Sequence, residues 1–300
     1  MDFDLSPELT GLQKLVRRFV KEELMPLERA VIARERQGPI GRDRILPDEN
    51  RLRIEGKAKE LGIWMAPVPK EYGGAGLGLL SSCIIYEELA KTIAFSVVTP
   101  GGVGIPALME HTKEELRQDY LLPELRGDKV SCIAITEANA GSDPAMLEMT
   151  AARDGDDYVL NGTKLYVGAG ETADFAFVFA RLPGTKRHEG ISCFVVDTKT
   201  PGIETRLMEV MASWCPAEMV FQDCRVPARN VVGEVGQGFA LFTAAITHGR
   251  LHIAARCLGI ASRCLEMSLS WARQRVSFGR PIAERQAIQW MLADTAMELE

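Results

Sequence analysis

The chain has 300 residues, of which 46% are hydrophobic and 25% are charged. These values are ordinary for globular proteins, so they exclude a disordered, collagen-like or coiled-coil chain. The length is enough for two or three domains of the usual size. The formal net charge of −6 offers no basic surface, and affinity for nucleic acid depends mainly on clustered lysine and arginine. We therefore expect no nucleic-acid partner.

The seven cysteines form no Cys-x-x-Cys pair, and an odd number cannot all pair within one chain. They are expected to be reduced thiols, which indicates a cytoplasmic location. Cys257 and Cys264 share one face of a predicted helix and are expected to be small, buried apolar residues. The N-terminus has no signal-peptide pattern, and no stretch approaches the roughly 18 apolar residues of a membrane span. We expect no membrane span.

Residues 1–127 have a helical pattern and are predicted to form an N-terminal α-helical domain. Apolar residues recur at spacings of three and four from Leu12 to Val20, and the same spacing recurs from Leu80 to Ala94. Segments rich in proline and glycine divide the stretch into several helices. These breaks lie at residues 38–47, 67–78 and 100–106.

Residues 128–235 change to a period of two, which predicts a middle β domain. Short strands at this spacing, with no long helices between them, favour an antiparallel barrel or sandwich over a parallel Rossmann sheet. Asn161-Gly162 stands between two such strands and predicts a hairpin turn. The predicted strands are Thr150–Ala152, Tyr158–Leu160, Lys164–Val167, Phe175–Arg181, Ile191–Val196 and Met219–Val226.

Residues 236–300 return to helical periodicity and are predicted to form a C-terminal helical bundle domain. The last helix has no glycine or asparagine cap, and Glu298 and Glu300 place negative charge at the unfavourable end of its dipole. Two amphipathic helices do not enclose a core, whereas four commonly do. We therefore expect an incomplete bundle, completed by a continuation of the chain or by another chain. The fold class expected is α+β multidomain.

Two polar loops carry groups that could grip a dinucleotide. The first reads Ile-Thr-Glu-Ala-Asn-Ala-Gly-Ser-Asp from Ile135 to Asp143, and offers hydroxyl and backbone N–H donors. The second reads Arg-Val-Ser-Phe-Gly from Arg275 to Gly279, and offers a guanidinium, a hydroxyl and an aromatic ring. Taken alone, residues 139–143 also have the composition of an ordinary turn.

Helical histidines at His248 and His252 have the spacing of a zinc-binding helix. Gly249 stands where the general-base glutamate of His-Glu-x-x-His would be, and the chain has only four histidines. We therefore expect no metal site. Arg250 lies among apolar residues, where it either extends to the surface or positions a polar or anionic substrate group.

Helices, then a β domain, then helices, with these loops in this order, resemble the acyl-CoA dehydrogenase family over essentially the whole chain. Besides the two loops, the matching segments are Pro69-Lys-Glu-Tyr-Gly-Gly-Ala-Gly-Leu77, Asn161-Gly-Thr-Lys164, Phe221-Gln-Asp-Cys-Arg-Val-Pro227, and Arg285-Gln-Ala-Ile288 followed by Met291-Leu-Ala-Asp294.

The resemblance implies that FAD binds in a cleft between the β domain and the C-terminal helices. It places two groups of residues against the cofactor, the second of them in a neighbouring subunit of a homodimer or homotetramer. It also places Ser142 near an acyl-CoA substrate, for which Arg250 is the candidate binding residue already indicated by its sequence context. The first group is Ile135, Thr136, Gly141, Ser142, Tyr166, Val167 and Gly168; the second is Arg275, Ser277, Phe278 and Gln286.

Some positions depart from the pattern that the resemblance sets. Tyr166 stands in the place of a tryptophan, and Gly168 in the place of a threonine whose hydroxyl bonds the flavin. The segment from Met211 to Pro216 does not reproduce the family pattern. The resemblance places the catalytic base either at the position of Gly249, which has no side chain, or in a later segment that this chain does not reach, so the catalytic residue is left unassigned.

The activity implied by the resemblance is α,β-dehydrogenation of an acyl-CoA thioester in fatty acid or amino acid catabolism. An electron acceptor such as an electron-transfer flavoprotein would be a further partner. One alternative is a flavin oxidase or monooxygenase on the same fold. The other is a non-catalytic flavin- or acyl-CoA-binding assembly subunit, which the glycine at position 249 keeps open.

Overall fold

A computed structural model of the protein describes residues 4–41, 44–94, 111–211 and 214–300. Along the chain, a group of helices precedes one large β-sheet, and a long helix with a short hairpin and a last helix follows it. None of the described helices is long and apolar enough to cross a lipid bilayer.

The N-terminal helices pack around an apolar core of their own. Ser6 caps the first helix by accepting a hydrogen bond from the N–H of Leu9, and Pro7 occupies its first turn. The predicted stripe is confirmed, since Leu12, Val16 and Phe19 are buried. The predicted break at 100–106 lies outside the described residues. The helices are α1 (Pro7–Phe19), α2 (Glu28–Glu35), α3 (Asp48–Glu60), α4 (Gly78–Leu89), α5 (Glu114–Leu116) and α6 (Leu122–Arg126), with a π-helical stretch at Arg117–Leu121.

The β domain is one eight-stranded sheet with the order β6-β7-β3-β2-β4-β5-β8, and β1 lies beside β4. Most neighbouring strands are antiparallel. The exceptions are β1, which runs parallel to β4, and β2, which forms a single parallel bridge with β4. The strands are β1 (Ser131–Ala134), β2 (Thr150–Asp154), β3 (Asp157–Val167), β4 (Phe175–Arg181), β5 (Ile191–Asp197), β6 (Ile203–Leu207), β7 (Ala217–Pro227) and β8 (Val231–Val232).

A loop leaves the sheet between β1 and β2. β1 pairs with residues 175–178 of β4, and Thr150 of β2 pairs with Arg181 at the other end of β4. The two strands therefore follow one line along β4, and residues 135–149 project from that line. The first predicted cofactor loop is thus part of this excursion, named here the 135–149 loop.

The predicted hairpin turn at Asn161-Gly162 is wrong. Both residues lie inside β3, where the register with β7 shifts between Leu160 and Gly162. A glycine inside a strand pattern also marks a bulge, and Gly162 has a φ of 150° with no room for a Cβ beside Met149. The two-residue turn between β2 and β3 is Gly155-Asp156, and Gly155 supplies the positive φ.

Both faces of the sheet are buried. Phe175, Phe177 and Phe179 of β4 face a core shared with the helices, while alternate residues face a second core within the curled sheet. The curl brings strands that are not neighbours together, because the rings of Tyr158 and Phe194 lie 5.1 Å apart. This curled sheet agrees with the expected barrel or sandwich, although its hydrogen-bonded path ends at β6 and β8.

The C-terminal part consists of helix α7 (Gly238–Gln274), a hairpin of β9 (Val276–Ser277) and β10 (Arg280–Pro281), and helix α8 (Gln286–Leu299). With 37 residues, α7 is about 55 Å long. Its first turn meets β5, since a Cβ on Gly238 would lie 2.7 Å from the Ser192 carbonyl carbon.

Several large apolar side chains of α7 and α8 are exposed in the single chain. The expectation that Cys257 and Cys264 are buried is wrong, because both are exposed. They share a helix whose exposed residues include many large apolar ones, so helical periodicity identified an apolar surface but not what covers it. The exposed side chains include Leu251, Ile253, Leu258, Met267, Trp271, Trp290, Met291 and Met297.

Candidate functional site

A buried ion pair anchors the 135–149 loop to the end of β3. Lys164 is fully buried, and its Nζ donates to Glu137 Oε1 at 2.7 Å and to the carbonyl of Ile135 at 3.0 Å. The Glu137 carboxylate also accepts from the backbone N–H groups of Glu148 at 2.6 Å and Met149 at 3.0 Å. One lysine and one glutamate therefore fix both ends of the loop.

Burial shifts the protonation equilibrium of this lysine. Desolvation lowers the pKa of Lys164 to about 8, against the opposing effect of the Glu137 carboxylate. The ammonium form is still favoured at neutral pH, so the charge-assisted hydrogen bonds to Glu137 are present there.

Five of the predicted cofactor residues lie within four positions of Glu137 or Lys164 in the chain: Ile135, Thr136, Tyr166, Val167 and Gly168. The N–H of Leu165 donates to the carbonyl of Thr136 at 2.8 Å, so Ile135 and Thr136 lie beside the last residues of β3 and the turn after it. Val167 is buried and Gly168 is half-buried. These neighbours therefore lie at one end of the sheet.

Tyr166 has an uncommon backbone conformation at this junction. Its φ is 57°, its side chain is 58% exposed, and its N–H donates only to the weak acceptor Met208 Sδ at 3.4 Å. A positive φ costs energy for a residue with a Cβ, and such strain is often retained where a side chain serves a function. The Tyr166 side chain is thus exposed at this junction, two residues before Gly168.

Gly141 and Ser142 lie at the exposed tip of the 135–149 loop. A Cβ on Gly141 would meet no heavy atom within 4 Å. Neither residue donates a hydrogen bond to another residue in the described part of the chain. Their N–H groups and the Ser142 hydroxyl are therefore available to a ligand, and such donors suit a phosphate or the carbonyl groups of a flavin ring. The residues present fit a flavin dinucleotide.

Trp214 lies beside Gly168 at this end of the sheet. It was not predicted from the sequence as a site residue. A Cβ on Gly168 would lie 3.7 Å from Cη2 and 3.9 Å from Cζ3 of the Trp214 indole. The only signal was that the segment from Met211 to Pro216 departs from the family pattern. The anchoring glutamate Glu137 was also missed, although it lies inside the first loop.

The second group of predicted cofactor residues lies elsewhere. Arg275, Ser277 and Phe278 belong to the β9–β10 hairpin, beyond the far end of α7, and Gln286 begins α8. Within the described ranges, no hydrogen bond or ring contact joins them to the 135–149 loop. Among the described residues, the two groups are therefore not joined by such a contact within one chain.

The hairpin presents Phe278 at its tip. Phe278 and Gly279 both have positive φ, and the phenyl ring is 97% exposed. Arg285 supports the tip, because its Nη2 donates to the carbonyl of Ser277 at 2.9 Å and its guanidinium lies 5.4 Å from the Phe278 ring.

Helix α7 carries Gly249 on a buried face and Arg250 on an exposed one. His252 shares the buried face, and its Nε2 lies 2.8 Å from Ser82 Oγ of α4. Its ring centroid lies 4.6 Å from that of Tyr86. Among the described residues, no group of three or more His, Cys, Asp or Glu side chains could hold a metal ion.

His252 makes the stability of the protein depend on acid. Burial, with a smaller contribution from His248, lowers its pKa from 6.5 to about 4. As pH falls from 6.5 toward 4, the unfolded chain gains this proton before the folded chain does, so stability is lost. In the wild type, this proton should lower the free energy of unfolding by an amount on the order of 2 kcal/mol as pH falls toward 4, after allowance for solvent screening. We expect His252→Gln to remove this acid-dependent loss.

Urea unfolding of both proteins between pH 4.5 and 7.5 measures this slope. His188→Gln, which removes an imidazole elsewhere, is the control and should retain the wild-type slope. Parallel curves for wild type and His252→Gln would contradict the assignment.

Comparison with known proteins identifies the family. Acyl-CoA dehydrogenase profiles match the N-terminal domain over residues 6–128, the middle domain over 132–224 and the C-terminal domain over 236–300. The chain is 35% identical to acryloyl-CoA reductase (NADH) of Anaerotignum propionicum, over 99% of this chain and 74% of that one. The chain belongs to the acyl-CoA dehydrogenase family.

Solved structures of the family share the fold. Butyryl-CoA dehydrogenase of Megasphaera elsdenii has a TM-score of 0.86 at 31% identity, covering 100% of this chain and 77% of that one. A glutaryl-CoA dehydrogenase of Mycobacterium smegmatis in complex with FADH2 has a TM-score of 0.83 at 26% identity, covering 98% and 73%. The family consists of FAD-dependent oxidoreductases acting on CH–CH groups, so the predictions of enzyme class, cofactor and α+β fold are confirmed at that level.

Proposed function

We propose that this protein binds FAD where the 135–149 loop meets the end of β3. The observation that carries the proposal is the buried Lys164–Glu137 ion pair, which fixes the 135–149 loop. At the tip of this loop, Gly141 and Ser142 donate no hydrogen bond within the described part of the chain. Ile135, Thr136, Tyr166, Val167 and Gly168 would hold the ring system. Gly141 and Ser142 would donate hydrogen bonds at the loop tip.

We infer that the reaction is α,β-dehydrogenation of an acyl-CoA thioester. When bound, FAD would supply the acceptor for a hydride from the β-carbon. Ser142 would orient the thioester beside the cofactor, and the exposed guanidinium of Arg250 would meet a polar or anionic part of the substrate. Hydrogen bonds to the thioester carbonyl increase the acidity of the α-carbon, which prepares the proton for removal.

The base that removes the α-proton is not at position 249, because glycine carries no proton acceptor. His252 lies one turn further along the buried face of α7, but its Nε2 is engaged with Ser82. We propose that another segment supplies the base, and that the residues described here bind and orient the substrate and cofactor.

The remaining partners follow from the same proposal. Arg275, Ser277, Phe278 and Gln286 would reach the diphosphate or adenosine of FAD in a neighbouring subunit of a homodimer or homotetramer. We propose an electron-transfer flavoprotein as the electron acceptor and the cytoplasm as the location. We also propose domain boundaries near 127/128 and 235/236, a few residues before β1 and α7 begin.

Anaerobic titration of the FAD-loaded protein with saturated acyl-CoAs of increasing chain length tests the activity. We expect bleaching of the flavin band near about 450 nm with at least one chain length. Rapid return of the band in air, with consumption of O₂, would instead indicate an oxidase. A protein that binds FAD but responds to no acyl-CoA would contradict the dehydrogenase proposal and favour the binding subunit.

A further inference from the structure

The indole of Trp214 faces Gly168 at the rim of the candidate site. Its six-membered ring would touch a Cβ at that position at 3.7 Å, which is ordinary contact distance. A larger side chain would have branches closer to the ring. Glycine or alanine at position 168 therefore leaves room for the Trp214 indole, whereas a larger side chain would crowd it.

Trp214 is held there by the N-terminal helical part of the chain. The N–H of Cys215 donates to the carbonyl of Ile40 at 2.7 Å, and Gly41 and Cys215 form a β-bridge. The indole itself packs against the apolar core of the N-terminal helices while remaining only partly buried. Its position is thus fixed by a different part of the chain from the one that carries Gly168.

Two features distinguish this indole from a tryptophan that only fills a core. Trp64 is buried, and its Nε1 donates to the Leu125 carbonyl at 2.7 Å. The indole N–H of Trp214, by contrast, donates to no residue in the described ranges. The indole is also only partly buried, and the residue that it faces, Gly168, lies two positions after the exposed Tyr166.

We propose that Trp214 is a further cofactor-contacting residue, and that its indole forms the wall that a planar heteroaromatic ring meets beside Gly168. This inference rests on the proposed FAD site. Aromatic rings attract one another in offset or edge-to-face arrangements, and the indole N–H adds a donor. The indole of Trp214 would thus contact the ring at a position where Gly168 offers no side chain.

FAD binding to the apoprotein, followed by tryptophan fluorescence and by the visible flavin spectrum, tests the proposal. We expect Trp214→Phe to weaken FAD binding roughly 3- to 10-fold, to lose part of the FAD-dependent fluorescence quenching, and to shift the flavin absorption band. Gly168→Leu should shift the band in the same way while leaving the indole in the chain. Gly168→Ala, whose Cβ fits at ordinary contact distance, is the matched control and should resemble wild type.

The outcomes separate this inference from the proposed function. Wild-type affinity, quenching and spectrum in both Trp214→Phe and Gly168→Leu would overturn the role of Trp214 and leave the FAD site standing. A wild-type protein that binds no FAD would overturn both. Thermal unfolding of each variant identifies a change in affinity that arises only from loss of folding.

Discussion

Lys164→Met is expected to destabilise the protein by about 3–5 kcal/mol and to abolish tight FAD binding. The substitution leaves the Glu137 carboxylate buried without its cation, and an uncompensated buried charge is costly. It also removes the bond from Lys164 to the carbonyl of Ile135, so the 135–149 loop loses its attachment to β3. Urea unfolding and FAD titration measure the two effects.

A second substitution separates charge from packing. In Lys164→Met combined with Glu137→Gln, the neutral amide removes the buried charge, and its oxygen can still accept from the N–H of Met149. We expect the double variant to recover part of the lost stability. Arg225→Met is the control, because that exposed cation also pairs with two carboxylates and should contribute little. Equal stability of wild type and Lys164→Met would contradict the anchor.

Gly259→Ala is expected to destabilise the protein by about 2–4 kcal/mol. A Cβ at this position would lie 2.0 Å from the carbonyl oxygen of Glu87 and 3.0 Å from the Cβ of Ala90. Helices α4 and α7 therefore approach almost backbone to backbone, and a methyl group forces them apart. This separation would also disturb the contact between Ser82 and His252.

The sign of this result is diagnostic, because alanine is the better helix former by about 1 kcal/mol. Gly56→Ala in α3 is the matched control, since a Cβ there would meet no heavy atom within 4 Å. We expect Gly56→Ala to stabilise the protein by about 0.5–1 kcal/mol. Urea unfolding compares the two variants, and a Gly259→Ala protein as stable as wild type would contradict the close packing of α4 and α7.

Periodicity predicted most of the fold because each element carries its own pattern. The apolar spacing from Leu12 to Phe19 marks the buried face of α1, and the continuous apolar run from Phe175 to Ala180 marks a strand that is buried on both faces. Asn161-Gly162 misled because a turn and a bulge use the same residues. Only the partner strand β7, about 60 residues away, decides between them.

The candidate site was predicted in part, since motifs locate segments but not their contacts. The pairing of Lys164 with Glu137 joins residues 27 positions apart, and no local pattern predicts it. Trp214 reaches Gly168 only because the N-terminal helices hold its segment, so its role depends on long-range packing. Phe278 was correctly placed in a loop, yet its near-complete exposure follows only from the hairpin geometry.

The central claim is that FAD lies against residues 135–136 and 166–168, on a loop held by Lys164. Electron density from crystals of the protein grown with FAD tests it most directly. We expect density for three fused rings beside Tyr166 and Gly168, within reach of the donors of Gly141 and Ser142. Density for FAD elsewhere on the protein, with this end of the sheet closed by its own side chains, would contradict it.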